Sequence, residues 1–439
     1  MRAMKGSGIE WIGEIPVSWE TKRNKQLFFE VNERCENGNE HTLLSVSEYY
    51  GIAPKSDKIS DGEFETRADS LDGYKLCKVG DIVMNIMLAW KRSTGRSEYD
   101  GIVSPAYCVY RPIEDNDTKY YHYLFRTDIV ANLFKQYSTG IIDSRWRLYP
   151  EKFLALSMPV PPLSEQLAIS AYLDRQCALI DSVIEKTKAS IEEYKKLRQT
   201  VITQAVTKGV RGERAMKDSG IEWIGEIPEE FVRRKLKSFA DMISKGTTPK
   251  EMNNEFDDNY TIRFLKSENI VDQHLSPVPL FTITKETHTG FLNRSQLDER
   301  DILFVIAGAS IGKCAIMDKT LLPANTNQAT CFIRIQSKYI GITRYIWYAL
   351  QSNIMKTYIS LFAVQSAQPN ISMEDLGNFF IPLPKKADEI SAIISFLDQK
   401  CAEIDNLITQ KEQFLTELES YKRSMIYEYV TGKKEVSQA

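Results

Sequence analysis

A chain of 439 residues is too long for one ordinary core and points to two or three domains. Its 43% hydrophobic and 26% charged residues fit a globular protein, and no run of about 18 apolar residues suggests a membrane span. A net charge of −3 and a pI near 6.0 argue mildly against a nucleic-acid binder, unless basic residues are gathered on one face or partner subunits supply charge.

In chain order, Met1 to Gly8 lacks the apolar core of a signal peptide, and a cytoplasmic protein is expected. Seven scattered cysteines without a CxxC pair fit reduced thiols better than disulfides or a zinc site. From about 20 to 158, short β-branched and aromatic runs such as Asp81 to Ile86 read as strands. Tyr120 to Tyr137 reads as helix, and a proline hinge follows at Pro159, Pro161 and Pro162. Ser164 to Lys208 contains neither proline nor glycine and predicts one long helix stopped by Gly209. The plan then runs again: strand-rich sequence from about 232 to 380, a helical patch at Thr343 to Leu361, a hinge at Pro382 and Pro384, and a helix stopped near Gly432.

The second run is a copy of the first. Arg2 to Pro16 reappears as Arg214 to Pro228 with only Gly6 changed, to Asp218. Weaker matches keep the order: Gly80-Asp-Ile-Val83 with Arg300-Asp-Ile-Leu303, and Ala106 to Arg111 with Ala329 to Arg334. Leu173-Asp-Arg-Gln-Cys-Ala-Leu-Ile-Asp181 likewise matches Leu397-Asp-Gln-Lys-Cys-Ala-Glu-Ile-Asp405. A period of about 212 residues is far above that of a solenoid. The pattern is a shared frame around two diverged inserts.

Core-type positions on the first long helix fall at Leu173, Cys177, Ile180, Ile184, Thr187, Ile191, Tyr194, Val201 and Ala205. Those on the second fall at Leu397, Cys401, Ile404, Ile408, Lys411, Leu415, Leu418, Met425 and Tyr429. This 3–4 alternation predicts a coiled-coil seam in which the two helices pair. Arg198 and Lys422 interrupt it, and Leu197 and Tyr421 are expected to take over there as a straight helix drifts against the heptad.

Catalytic chemistry finds little support. Ala307-Gly-Ala-Ser-Ile-Gly-Lys-Cys314 resembles a phosphate-binding loop but has Cys314 where that loop needs Ser or Thr. Val160-Pro-Pro-Leu163 lacks the polar lead and the aromatic of a methyltransferase base-holding motif. His41, His122, His274 and His288 have no metal-ligand spacing, so no metal and no cofactor are expected.

The whole plan resembles the specificity subunits of type I restriction-modification enzymes. The likeness is carried by Gly8-Ile-Glu-Trp-Ile-Gly-Glu-Ile-Pro16 and its copy at Gly220 to Pro228. The Pro-x-Pro hinge with Ser164-Glu-Gln166 and the Leu-Asp-x-x-Cys-Ala-x-Ile-Asp signature carry it further. The second hinge, Pro384-Lys-Lys-Ala-Asp-Glu389, departs from the Ser-Glu-Gln form and puts that local contact in doubt. The resemblance implies an α+β fold with two mixed α/β target-recognition domains. Two long helices forming an antiparallel coiled coil separate them, in a pseudo-two-fold internal repeat. An N-terminal segment and the first recognition domain would span 1–158, a central long helix 159–212, the second recognition domain 213–380 and a C-terminal long helix 381–439. Each recognition domain would read half of a bipartite, asymmetric site in double-stranded DNA. Two methyltransferase subunits modifying adenine N6, and restriction subunits, would bring methyl donor and ATP, leaving this chain non-catalytic.

Base readout needs amide, hydroxyl and guanidinium groups, and phosphate contact needs Lys or Arg. Candidates in the first domain are Ser47, Lys91, Arg92, Ser93, Arg96, Arg145 and Arg147. Those in the second are Lys245, Thr247, Thr248, Lys266, Asn269, Lys313, Asn325, Asn327, Gln328, Gln365 and Gln368. Two rival classes remain: a nucleotide hydrolase built on the Gly308 loop, and an adaptor whose coiled coil joins proteins without DNA.

Overall fold

The computed structural model describes residues 2–58, 70–113, 116–140, 146–363 and 369–436. The chain divides into two compact units, Met1–Thr187 with Gln413–Ala439, and Lys188–Glu412. Each long helix is therefore shared between units, whereas the sequence boundaries had set the helices apart from the recognition domains.

In the first unit, β1 (Met4–Gly6) and β2 (Glu14–Pro16) form a hairpin, and β3 (Glu20–Arg23) will pair with a later strand. Next come β4 (Phe28–Val31), β5 (Ile82–Asn85), β6 (Thr94–Arg96) and β7 (Tyr107–Pro112). These four make an antiparallel sheet in the order β4-β7-β5-β6. Helices α1 (Thr118–Phe125) and α2 (Asp128–Tyr137) pack Tyr120, Tyr121, Phe125 and Phe134 into the core beneath it. The single helical patch expected over Tyr120 to Tyr137 is thus two helices. The Thr127 hydroxyl accepts from Val130 N and caps the second. Strand β8 (Ser157–Val160) pairs with β3 and leads through the prolines into α3 (Leu163–Lys208).

The second unit has hairpin β9 (Met216–Asp218) and β10 (Glu226–Pro228), then β11 (Phe231–Lys235), β12 (Ala240–Lys245) and β13 (Ile262–Leu265). It continues with β14 (Ile302–Val305), β15 (Cys314–Ile316), β16 (Ala324–Thr326), β17 (Thr330–Ile335) and β18 (Phe380–Pro384). Its main sheet has the order β12-β17-β14-β15, and β13 pairs parallel with β16. The patch expected over Thr343 to Leu361 also breaks in two, at Ser352, into α4 (Thr343–Gln351) and α5 (Asn353–Phe362). Helix α6 (Ala387–Val430) follows β18. Gly209 and Gly432 take positive φ, 74° and 73°, just beyond the ends of α3 and α6. Both match the expected stops, because a left-handed residue releases the chain from the helix at little steric cost for glycine.

The matched motifs form equivalent contacts in the two units. Asp81, about 1% exposed, takes a two-pronged contact from Arg111 (Nε–Oδ1 2.9 Å, Nη2–Oδ2 3.0 Å) and a bond from Lys78 N. Asp301 takes the same contact from Arg334 (3.0 and 2.7 Å) and a bond from Asp298 N. Asp174 accepts from Lys119 and Tyr123 on α1, and Asp398 from Arg344 and Tyr348 on α4. The first two residues of each Leu-Asp-x-x-Cys signature thus dock the long helix onto its own globular part.

Two expectations need correction. Glu389 keeps the hinge contact that the altered second hinge put in doubt. It binds Arg214 as Glu165 binds Arg2, because the acidic residue survives one place before Ile390. What is lost is the bridge made by Gln166 between Asp117 N and Pro161 O. Nor do Leu197 and Tyr421 enter the seam, since they are 47% and 58% exposed. In the first unit Lys422 pairs with Asp181 (2.6 Å), and in the second Arg198 pairs with Asp405 (2.9 Å). Each base meets the last residue of a helix signature, so its charge is satisfied where it stands. Around these pairs Leu173, Cys177, Ile180, Ile184, Ile191, Leu397, Cys401, Ile404 and Met425 are buried. Val201, Ile408, Leu415 and Leu418 are half-buried. Tyr172 stacks on Tyr429 in the first unit, and Lys411 lies over the Tyr194 ring in the second.

Candidate nucleic-acid interface

In the first unit β4 and β5 end, and β6 and β7 begin, at the same end of the sheet. Residues 86–93 loop out there. Leu148 N donates to Ile86 O (2.9 Å) and Ser93 Oγ to Val46 O (3.1 Å), which draws the segments around Arg147 and Ser47 to the same end. Arg126 is the hub, a role the sequence reading missed. Its Nη1 donates to the carbonyls of Ser47, Arg92 and Thr94, and its Nη2 to those of Glu48 and Tyr49, all within 2.9–3.2 Å. Burial pushes this guanidinium down to about 10, so it remains charged at neutral pH.

Lys91 and Arg147 are exposed on this rim, and Ser47 is half-buried. Trp90 and Trp146 stand 5.6 Å apart, and Lys135 lies 4.5 Å from the Trp146 ring and 5.3 Å from that of Trp90. Cations held against aromatic faces suit a polyanion with stacked bases. The other candidates fare differently. Arg92 is paired with Asp128. Arg96 turns to Thr118 and Glu98. Ser93 is buried and bonded to backbone, so it is corrected from a candidate reader to a loop anchor. Arg145 lies outside the described residues.

The second unit gathers its candidates in the same way. Strands β12 and β14 end, and β15 and β17 begin, at one end of the sheet. The parallel register Leu265 to Thr326 brings Lys266 to that end as well. Lys245, Thr247, Thr248, Lys313 and Gln328 are exposed there, and Asn327 and Lys266 half-exposed, with the Lys266 ammonium 3.5 Å from the Phe281 ring centroid. Asn269 and Asn325 are corrected: both are buried within the fold. Asn269 donates to the carbonyls of Ser276 and Pro279, and Asn325 to Leu292 O and Ser295 Oγ. A buried amide must be paired, and pairing within the fold leaves nothing for a base. Gln365 and Gln368 lie outside the described residues.

The loop that carries Thr247 and Thr248 presses against the start of β17. Gly246 N donates to Asn327 O (3.1 Å), and a Cβ at residue 246 would lie 1.5 Å from Thr326 O. Gly246→Ala is therefore expected to push the two loops apart and destabilise the second unit by about 1–3 kcal/mol. Thermal unfolding checks this, and an unchanged midpoint counts against the tight approach.

The stretch Gly308 to Lys313 is a hairpin turn between β14 and β15, with Gly308 and Gly312 at positive φ. A phosphate-binding loop opens a helix, whose N-terminus supplies the N–H groups. Here a strand follows, with Cys314 buried, and that geometry gives no support to the nucleotide-hydrolase class. Among the described residues no cluster of His, Cys, Asp and Glu could hold a metal ion, and no helix is long and apolar enough to cross a membrane.

In each unit, then, basic and amide groups are collected at one end of a four-stranded sheet. Residues 228–417 match the family described as the type I restriction modification DNA specificity domain. The chain is 26% identical over 300 residues to the type I restriction enzyme EcoBI specificity subunit of Escherichia coli, covering 63% of this chain and 58% of that protein. It is 27% identical over 287 residues to the MjaVIII specificity subunit of Methanocaldococcus jannaschii, covering 64% of this chain and 63% of that one. The matches thus span less than two thirds of these two relatives. A chain in the solved structure "Structural basis underlying complex assembly and conformational transition of the type I R-M system" has the same fold. It matches with a TM-score of 0.68 at 16% identity, over 96% of this chain and 99% of that one. The resemblance to type I specificity subunits, read first from the repeated opening and the helix signatures, is borne out by these matches.

Proposed function

We propose that this chain is the DNA-specificity subunit of a type I restriction-modification complex, reading a bipartite asymmetric site and performing no chemistry itself. The observation that carries the reading is the placement of the candidates. In each unit a four-stranded sheet of the same strand order brings exposed Lys, Arg, Thr and Gln side chains to one end. One unit would read one half-site and the other unit the second. The repeated opening, signatures and buried Asp–Arg pairs support an internal duplication with approximate two-fold symmetry.

The cross-helix contacts support an antiparallel coiled coil. Tyr172 with Tyr429, Asp181 with Lys422, Tyr194 with Lys411 and Arg198 with Asp405 pair rising numbers on α3 with falling numbers on α6. Such a pair would fix the spacer between half-sites and scaffold two methyltransferase subunits and the restriction subunits. Methyl donor and ATP would be bound by those partners, in the cytoplasm.

The test is an exchange of residues 20–158 for the same region of another specificity subunit, read by mapping methylated adenines. One half-site is expected to change and the other to stay. A change in both, or in neither, defeats the modular reading.

A further inference from the structure

The side chain of Gln328 is held so that it presents hydrogen-bond donors only. The Thr248 backbone N–H donates to Gln328 Oε1 at 3.1 Å, and the Thr248 hydroxyl donates to the same oxygen. The backbone N–H settles which way the amide points: it has no lone pair, so the atom facing it must be the carbonyl oxygen. A carbonyl oxygen has two lone pairs, and Thr248 occupies both. What Gln328 offers outward is its Nε2 amine, on an exposed residue at the rim that also carries Lys245, Thr247 and Asn327.

The loops that make the clamp are themselves fixed. Gly246 N is bonded to Asn327 O, and the Asn327 side chain accepts from Ala329 N at 3.2 Å. The close approach at Gly246 leaves no room for a Cβ between the loops. Thr248 is followed by Pro249, which is buried. The donor pair therefore meets Gln328 in a set position, with little rotamer freedom left to lose on binding.

Resting on the specificity-subunit reading, the geometry points to Gln328 as a guanine-reading residue of the second half-site. A glutamine normally reads adenine with both ends of its amide, accepting from N6 and donating to N7. That contact needs a free lone pair on Oε1, and here none is free. The two amine hydrogens instead suit adjacent acceptors, and in the major groove guanine presents them as N7 and O6. Thymine offers O4 alone, and cytosine turns a donor toward the groove, which the amine would oppose.

The test uses the full chain in its complex with the methyltransferase subunits and maps the methylated sites of native and variant complexes. In Gln328→Ala, discrimination at one position of the second half-site is expected to fall about tenfold, and that position to be a G·C pair in the native site. Thr248→Val frees one lone pair on Oε1, so adenine should be admitted beside guanine at that position while the other half-site is unchanged. A native site with every position unchanged in Gln328→Ala overturns the assignment, as does relaxation at an A·T pair. Either result leaves the specificity-subunit reading in place, because the native complex still methylates a defined site. A native complex that methylates no defined site overturns that reading and this one with it.

Discussion

Arg334→Ala is expected to cost about 3–5 kcal/mol of stability in the second unit. Asp301, one residue before β14 and about 1% exposed, has its two oxygens on Nε and Nη2 of Arg334 in β17. The arginine also donates to Gln296 O and pairs with Asp298, so it ties β17 to the stretch 296–301 at several points. Removing it leaves a carboxylate stranded in the interior with only the Asp298 N–H for company. The opposite change, Asp301→Asn, is milder, because the Arg334 side chain is 26% exposed and keeps Asp298 as a partner.

The pH dependence distinguishes a stranded charge from lost packing. Burial holds the Asp301 carboxyl above its ordinary range even with Arg334 opposing. Without the arginine the folded-state pKa rises further. The folded variant then binds a proton more readily than the unfolded chain, so its stability falls as pH rises through that raised pKa. Thermal unfolding of Arg334→Ala should lie roughly 10 °C below native at pH 8, with the gap narrowing toward pH 5. A gap of equal size at both values would mean that the arginine acts through packing alone. Arg111→Ala is expected to destabilise the first unit in turn, because Asp81 is buried and shares the two-pronged contact.

These pairs mark how far the sequence could be read. Asp81 and Asp301, and Arg111 and Arg334, stand at matching places in the two copies, so the frame was legible. That each Asp meets its Arg was not, because the partners are about 30 residues apart and join only when two strands align. The long helices were legible from their apolar spacing, since burial of one face repeats with the turn of the helix. The fate of Arg198 and Lys422 was not, because a base on a seam is tolerated only if an acid faces it, and that depends on register between helices. The candidate readers were the least legible part. Asn325 and Gln328 are three residues apart and both carry amides, yet one is buried within the fold and the other stands at the rim. Residue type favours base contact and internal pairing equally, and only burial separates them. Arg126 was missed for the same reason: an arginine that serves five backbone carbonyls looks, in sequence, like any basic residue on an exposed helix.

A fragment ending near Gly212 is expected to form a dimer and to direct methylation to a palindrome made of the first half-site and its inverted copy. Such a fragment keeps the first globular part and all of α3 but loses Gln413–Ala439, which belongs to the same unit. Leu173, Cys177, Ile180 and Ile184 would then face water. Burying such side chains is worth about 1.5–3 kcal/mol each before ordering costs, enough to drive pairing. The second half of α3 in another copy can take the missing place, because residues of α6 correspond to those of α3 at an offset of 224. Asp181, which meets Lys422 in the full chain, would meet Arg198 of the other copy, an equally charged base. Tyr120, which donates to Val430 O, would find the Val206 carbonyl, which already accepts from Tyr345 in the second unit. Two contacts are poorer. Ala205 replaces Tyr429 against Tyr172, losing a ring pair worth about 0.5–1.5 kcal/mol, and Thr187 replaces Lys411 over Tyr194. The dimer should therefore be looser than the native pairing, with both losses counted twice by symmetry. Two-fold pairing of one surface with itself closes on a dimer and does not propagate to fibres. Light scattering gives the mass, and methylation mapping with the partner methyltransferase gives the site. A monomer, or a dimer that still favours the asymmetric site, would refute the two-fold scaffold. Asp181→Arg in the fragment should weaken dimerisation, because the introduced guanidinium would face Arg198 of the other copy, and adding Arg198→Asp should restore it.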